Sequence, residues 1–521
     1  MKPIRLLVLL LSILPSLAAL RAQDWFYPEL KALGAPELAP FEFGVASGDP
    51  LPDAVVIWTK LYLTDSNKPE LVTWEMAADT LMQNLVQTGE QYTYGTSAFT
   101  VKVDVKGLEP GTTYFYRFQH KGKYSPIGRT KTASQRGDLL RLAVVSCADY
   151  GGGYYNAFGH IAKRNDLDAV LHLGDYIYEY GSWRGGPKRM RKRRYRDHIP
   201  DKTCTELKDY RTRYGQYRLD AQLRECHRLH PFIVIWDDHE VANNDYKDGS
   251  EGGSTNWEAR KAAAKQAYFE WMPIRENAEQ SIVRSFSFGP LAELWMLDGR
   301  LAGRSKQAQG PNDPNLNSPD RHMLGTEQTA WLLDGMKRSQ ARWKIVGNQV
   351  VFSPLNDSKV FDRRPSVRMD RWDGYPAERS HIFDFIYKND LKNIVVVTGD
   401  VHTSWAFELT GDPHDPAVYD PKTGKGVVGA EFVTPSITSF NFDEAVPKII
   451  VREAKRRFKK KKNNPHLRYV DLNNHGYLTL TLTPDKAQSD WYFVKRKDRV
   501  DDRVRLCASR HILFNGNKVE K

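Results

Sequence analysis

Four short apolar runs in this 521-residue chain each end on side chains that bind metal. Leu142–Ser146 runs into Cys147, and Ala169–Leu173 into Gly174-Asp175-Tyr176-Ile177-Tyr178. Phe232–Trp236 runs into Asp237-Asp238-His239-Glu240, and Ile394–Thr398 into Gly399-Asp400-Val401-His402. A short apolar run bounded by loop signals reads as a buried strand. In open α/β sheets, sites gather at the carboxyl ends of strands. The pattern therefore predicts that residues far apart in sequence converge on one metal site. A metal-dependent hydrolase is the leading reading.

The chain is long enough for two or more domains. Residues 38–133 read as a small all-β module, with strand-like runs at Ala54–Lys60, Leu71–Met76, Ala98–Val105 and Thr113–Gln119. Leu108-Glu109-Pro110-Gly111-Thr112-Thr113-Tyr114 resembles the tyrosine corner of immunoglobulin and fibronectin type III sandwiches. Thr132–Asp138 reads as a linker. Residues 138–515 read as α/β. A helix over Tyr154–Arg164 between two strands makes a βαβ unit with a right-handed crossover. Helices are also expected over Glu206–Arg228, from a capping box at Thr255–Glu258 toward Met272, and over Thr326–Arg338. Later strands are expected at Ser281–Phe288, Glu293–Leu297, Lys344–Val346, Asn393–Thr398, Glu431–Thr434, Tyr477–Thr481 and Trp491–Val494. Few helices separate these late strands, which favours a mixed or two-sheet arrangement over a pure doubly wound sheet.

Residues 1–22 read as a signal peptide. Lys2 and Arg5 precede the apolar run Leu6–Leu14, small residues follow at Ala18-Ala19, and Ala22 closes the segment. The run is shorter than the roughly 20 residues of a spanning helix. No Cys follows it and no Arg-Arg pair precedes it, which points away from a lipoprotein and from twin-arginine export. The expectation is an exported protein without a transmembrane segment. Four cysteines, Cys147, Cys204, Cys226 and Cys507, leave disulfide pairing open, with Cys204 and Cys226 the closest pair in sequence.

The net charge of +12 is local. Lys188–Arg196 carries seven basic residues in nine and Lys455–Lys462 seven in eight, so the remainder of the chain carries −2. Such runs suit a polyanion, but solvated mobile loops are the favoured reading.

A two-metal hydrolase needs cations about 3.5–4 Å apart that share a bridging anion. Asp175, on a glycine-preceded turn, suits the bridge. Asp238 and Asp400 suit a hard, oxygen-preferring ion. His402 stands two residues after Asp400, so extended backbone aims both side chains the same way. The Cys147 thiol and Tyr178 phenol both favour iron(III), which would acidify them.

These blocks carry a family resemblance. Gly174-Asp175-x-x-Tyr178 is similar to the GDxxY block of purple acid phosphatases and related metallophosphoesterases. Asp237-Asp238-His239-Glu240 resembles their GNHE block, with Asp238 where Asn stands. Gly399-Asp400-Val401-His402 resembles GHxH, and Ser146-Cys147 takes the place of the first Asp block. Together the replacements look like the PhoD family. Its most specific run here is Trp236-Asp237-Asp238-His239-Glu240-Val241-x-Asn243-Asn244. Phe43-Gly44-Val45-Ala46-Ser47-Gly48-Asp49-Pro50, with Ile57-Trp58-Thr59, looks like the family's N-terminal β domain. The resemblance covers about residues 40–500. The basic insertions and the missing twin-arginine signal depart from it.

The resemblance implies a two-sheet αββα metallophosphoesterase sandwich preceded by a small all-β immunoglobulin/fibronectin III-like domain. It implies iron(III) on Cys147, Asp175, Tyr178 and His402, and calcium on Asp175, Asp238 and Asp400 with help from Asp237. His239 would act near the leaving oxygen, and Asn243 or Asn244 would reach the phosphate or the calcium shell. The expected reaction is hydrolysis of phosphate mono- or diesters by a hydroxide that the metals hold. Two alternatives stay open: a non-catalytic exported binding protein with a degenerate phosphatase domain, and another metal-dependent ester hydrolase on the same scaffold.

Overall fold

The computed structural model describes residues 25–63, 68–182, 194–357 and 369–521. The segment read as a signal peptide lies outside them, as does Lys188–Arg193 of the first basic run. No helix among the described residues is long and apolar enough to cross a membrane.

Two mixed sheets carry the centre of the molecule. The first has ten strands. Its middle is parallel: Leu140–Val145, Ala169–His172, Pro231–Val234 and Val45–Gly48 lie side by side. Antiparallel strands extend it on both flanks. The second has seven strands, with Ala292–Met296, Trp343–Asn348, Ile394–Thr398 and Gly429–Val433 parallel in its middle.

The apolar runs do not alternate with polar residues because both faces of these strands are covered. In the Ile394 strand, Val395 and Val397 join the core shared with the first sheet, among Val144, Leu171 and Ile233. Ile394 and Val396 point the other way, into a core with Leu332, Met336, Ile382 and Ile386. Those four come from the helices Thr326–Arg338 and Pro376–Lys388. The period of two along a strand thus serves two cores at once.

Three of the four ligand-bearing runs are adjacent parallel strands, so their carboxyl ends share one edge. The fourth run belongs to the second sheet. The two sheets meet closely at that edge. A Cβ on Gly399 would sit 2.8 Å from the Ser146 Cβ, so only glycine fits there. The Thr434 hydroxyl crosses from the second sheet to the Val144 carbonyl at 2.9 Å.

The N-terminal strands divide between two sheets. Glu70–Ala77, Leu85–Thr93 and Thr113–His120 belong to a separate five-stranded sheet, whereas Val45–Gly48, Ala54–Lys60 and Thr100–Lys106 continue the ten-stranded one. Tyr114 makes the expected corner: its hydroxyl accepts from the Glu109 N–H at 2.9 Å.

The expected helix over Glu206–Arg228 is two helices, Leu207–Arg218 and Ala221–Leu229. Asp220 separates them, because its carboxylate caps the N–H groups of Gln222 and Leu223. The helix expected from the Thr255 capping box runs Trp257–Trp271, with Asn256 at its N-cap and no side-chain capping bond. The basic runs are not simply solvated loops. Arg194 pairs with Asp149 at 2.9 Å and Arg196 with Asp220 at 2.5 Å, all four side chains largely buried. Lys455–Phe458 closes the helix Lys448–Phe458, which buries Val451, Ala454 and Phe458. All four cysteines are free thiols, so no Cys204–Cys226 bridge forms.

Tyr114→Phe removes the corner hydrogen bond and leaves the Glu109 N–H without that acceptor. It should lower stability by about 1–2 kcal/mol, read as a lower thermal midpoint with unchanged turnover. An unchanged midpoint would show that the corner carries no stability.

Candidate metal centre

The ligand-bearing turns bend sharply where the strands stop. Cys147, Asp175, Asp400 and His402 adopt left-handed backbone, with φ of 59°, 55°, 61° and 57°. This region is costly for residues other than glycine, and such strain collects at functional sites. Glu240 holds two of the turns together. Its carboxylate accepts the N–H groups of Asp175 at 2.9 Å, Tyr176 at 2.5 Å and Asp237 at 2.7 Å.

Two groups of potential ligands form, and Asp175 belongs to both. Ligand atoms of Cys147, Asp175 and His402 lie within 4.8 Å of one another, as do those of Asp175, Asp238 and His239. Tyr178 closes the first group. Its hydroxyl is 2.8 Å from Asp175 Oδ2 and 3.3 Å from His402 Nε2. Ser439 Oγ reaches both the Tyr178 oxygen, at 2.7 Å, and the Cys147 carbonyl, at 2.8 Å. His402 Nδ1 meets the Phe440 carbonyl at 2.8 Å, which directs Nε2 into the cluster. Burial lowers the His402 pKa to about 4, so its imidazole is neutral near pH 7.

Asp237 and Asp400 stand outside these two groups and turn toward Arg300. Arg300 is fully buried and pairs with Asp237 through Nε and with Asp370 through Nη1 at 2.9 Å. Its Nη2 lies 3.5 Å from Asp238 and 3.9 Å from Asp400. Arg304 pairs with Asp370 at 2.6 Å.

Burial raises the Asp175 and Asp400 carboxyls well above the usual range, and neighbouring carboxylates add to it at both. Burial would raise Asp238 too, but His239 and Arg300 outweigh it and hold it low. Burial, reinforced by Asp175, raises the Cys147 thiol and the Tyr178 phenol.

His239 lies within ligand distance of Asp175 and Asp238, but both ring nitrogens are engaged. Nδ1 meets Glu179 Oε2 at 2.8 Å, and Nε2 meets the Tyr180 hydroxyl at 2.9 Å. The ring stacks on Tyr178, with centroids 4.2 Å apart. Asn243 and Asn244 lie on the loop beyond. Both amide nitrogens donate to Glu251 Oε2 at 2.6 Å, and the Asn244 N–H donates to Asp238 Oδ2 at 2.6 Å.

The donor set fits metal ions. Asp237 Oδ2 and both carboxylate oxygens of Asp245 are buried without a hydrogen-bond partner among the described residues. More carboxylates converge here than Arg300 and Arg304 neutralise, and cations resolve such a surplus.

Sequence reasoning missed Arg300, Asp370, Glu179, Tyr180 and Ser439, and it named Glu240 only within the Asp237–Glu240 run, without its role as a clamp. A signal existed for one of them. Leu294–Leu297 ends on Asp298-Gly299-Arg300, a fifth apolar run that turns into a charged loop. Arginine is not a ligand type, so the run carried no metal signature.

Its relatives make this chain a phosphoesterase of the hydrolase class. Residues 142–491 match the family model of the PhoD-like phosphatases, and residues 31–134 match that of the PhoD-like phosphatase N-terminal domain. The chain belongs to the PhoD-like phosphatase family. It is 38% identical over 476 residues to alkaline phosphatase D of Bacillus subtilis (strain 168), spanning 87% of this chain and 77% of that protein. A solved structure of PhoD aligns with a TM-score of 0.81 at 36% identity, covering 92% of each chain.

Arg300→Met leaves Asp237 and Asp370 without their central counter-charge. In chelator-treated protein it should cost about 3–5 kcal/mol of stability, measured by chemical denaturation. Unchanged stability would remove Arg300 as the charge that balances this cluster.

Proposed function

We propose that this protein is an exported, metal-dependent phosphatase or phosphodiesterase whose iron(III) and calcium share Asp175. Cys147, Asp175, Tyr178 and His402 would hold iron, and Asp175, Asp238 and Asp400, with Asp237, would hold calcium. The observation that carries this reading is the membership of Asp175 in both ligand groups. The donor chemistry supports the division: sulfur, phenol and imidazole on one side, carboxylates on the other. Bound there, the cations would acidify water and neutralise charge on the phosphate oxygens.

The chain's own groups prepare the site for that chemistry. Ser439 and Asp175 fix the phenol of Tyr178 from two sides. The Phe440 carbonyl fixes the tautomer of His402, with the proton on Nδ1 and the lone pair on Nε2. Glu179 anchors His239 and, through its other oxygen, the Asn243 N–H at 2.8 Å. His239 and Tyr180 would then steer or protonate the leaving alkoxide. Asn243 and Asn244, released from Glu251, would contact the phosphate. Arg300 orients Asp237 and limits repulsion among the acids.

The fold belongs to this reading as an αββα two-sheet sandwich, residues 138–515, whose first sheet also takes in Val45–Gly48, Ala54–Lys60 and Thr100–Lys106 from the preceding β module, residues 38–133. Residues 1–22 would direct export.

Asp175→Asn should lose at least one metal by elemental analysis and nearly all turnover of p-nitrophenyl and bis-p-nitrophenyl phosphate. Two retained ions with full activity would refute the shared carboxylate. Tyr178→Phe should shift the visible charge-transfer band of the iron-loaded protein. A colourless, iron-free and fully active enzyme would refute the iron assignment.

A further inference from the structure

The second basic run begins in a helix that shows water an apolar patch as well as charge. The helix Lys448–Phe458 turns Val451, Ala454 and Phe458 inward. They pack with Trp405, Phe407 and Val470, and the Phe458 ring meets the Trp405 ring edge-on with centroids 4.8 Å apart. Residues three, four and seven apart share one face of a helix. Ile449, Arg452 and Arg456 therefore lie together on the side opposite this core. Ile449 is 71% exposed and Ile450, beside it, 49% exposed. Two adjacent isoleucines in water, on a helix whose inner face is already packed, contribute nothing to the fold.

The turn that follows is anchored. Asn463 and Asn464 are buried, and their side-chain amides donate to the Arg457 carbonyl at 3.0 Å and the Phe458 carbonyl at 3.3 Å. Lys459, Lys460, Lys461 and Lys462 are exposed at this fixed helix end. Residues 448–462 carry nine basic side chains and one acid, Glu453. Arg456 and Arg457 take up Glu453 at 2.7 and 2.8 Å, and Lys455 pairs with Asp471 at 3.2 Å. Lys448, Arg452, Lys460, Lys461 and Lys462 make no ion pair among the described residues. A field of one sign over so short a stretch attracts an anionic partner.

We propose that this helix and turn form a docking surface for an anionic phospholipid bilayer, with Ile449 and Ile450 entering the interface and the lysines lying over lipid phosphates. Charge complementarity selects a negative headgroup layer. The isoleucines select lipid over a dissolved polyanion. A nucleic acid would answer the cations but leave Ile449 and Ile450 in water. The outer face also lacks an aromatic ring on which a base could stack, because Phe458 is buried. A basic helix with exposed apolar side chains lies in the plane of the interface and satisfies both features at once. At eleven residues it is too short to span a bilayer. The same stretch of chain leads to the metal centre: the helix Phe442–Ala445 follows Phe440, whose carbonyl holds His402. Docking thus gives the enzyme a location and adds no step at phosphorus.

Full-length protein is mixed with vesicles of phosphatidylcholine alone, or of phosphatidylcholine and phosphatidylglycerol in equal parts, and the bound fraction is read by sedimentation. The protein should sediment with the anionic vesicles and not with the neutral ones, and binding should fall as salt rises. Lys460→Gln, Lys461→Gln and Lys462→Gln together should weaken binding roughly a hundredfold. Ile449→Ser with Ile450→Ser should weaken it about tenfold. Both variants should keep wild-type turnover of p-nitrophenyl phosphate, which shows that they fold. Absence of sedimentation with anionic vesicles overturns the proposal. An isoleucine variant that binds them as tightly as wild type also overturns it, as does duplex DNA bound more tightly than the vesicles at the same salt. If the double isoleucine variant does not fold, Ile449→Ser alone, at the more exposed position, takes its place.

Discussion

Burying acids around a common point is the constraint on which this structure turns. Asp175, Asp237, Asp238 and Asp370 are all almost fully buried within one neighbourhood. Each would prefer water, and each raises the cost of ionising the next. Arg300 answers part of this charge from the back, through Asp237 and Asp370. Asp175 is answered by the imidazole of His239 rather than by an arginine, and it faces the thiol, phenol and imidazole of Cys147, Tyr178 and His402. The shape of the site follows from that asymmetry: a fixed guanidinium on one side, and potential ligands for cations on the other.

The scaffold exists to hold these groups in place against their preferences. Left-handed backbone at Cys147, Asp175, Asp400 and His402 is unfavourable for side-chain-bearing residues. It persists because two sheets press their carboxyl edges together, with Gly399 against Ser146. Glu240 adds a hydrogen-bonded clamp between the Asp175 and Asp237 turns. Packing energy from distant residues is thus spent as geometry at one edge.

Much of this was legible in the sequence. The apolar runs announced buried strands, and their terminal residues announced where potential ligands gather, because both signals are local. Thr326–Arg338 begins and ends as its period predicted. The parts that escaped notice depend on tertiary context. Leu85–Thr93 is polar and mostly exposed, so it carries no core pattern. The break at Asp220 was hidden inside a helical stretch, where an Asp reads equally as surface charge or cap. Arg300 and Ser439 have no ligand chemistry of their own, and they matter only because folding sets them against Asp237 and Tyr178. The continuation of the first sheet into the Val45 strand was equally invisible, since strand pairing across nearly two hundred residues leaves no local trace.

The most direct measurement is a crystal structure of the active protein with anomalous maps collected at the iron edge and at a longer wavelength for calcium. The account predicts an iron peak among Cys147, Tyr178 and His402 and a second, calcium peak against Asp238, with a carboxylate oxygen of Asp175 touching each. Crystals that turn over substrate while showing no heavy scatterer between those side chains would contradict it.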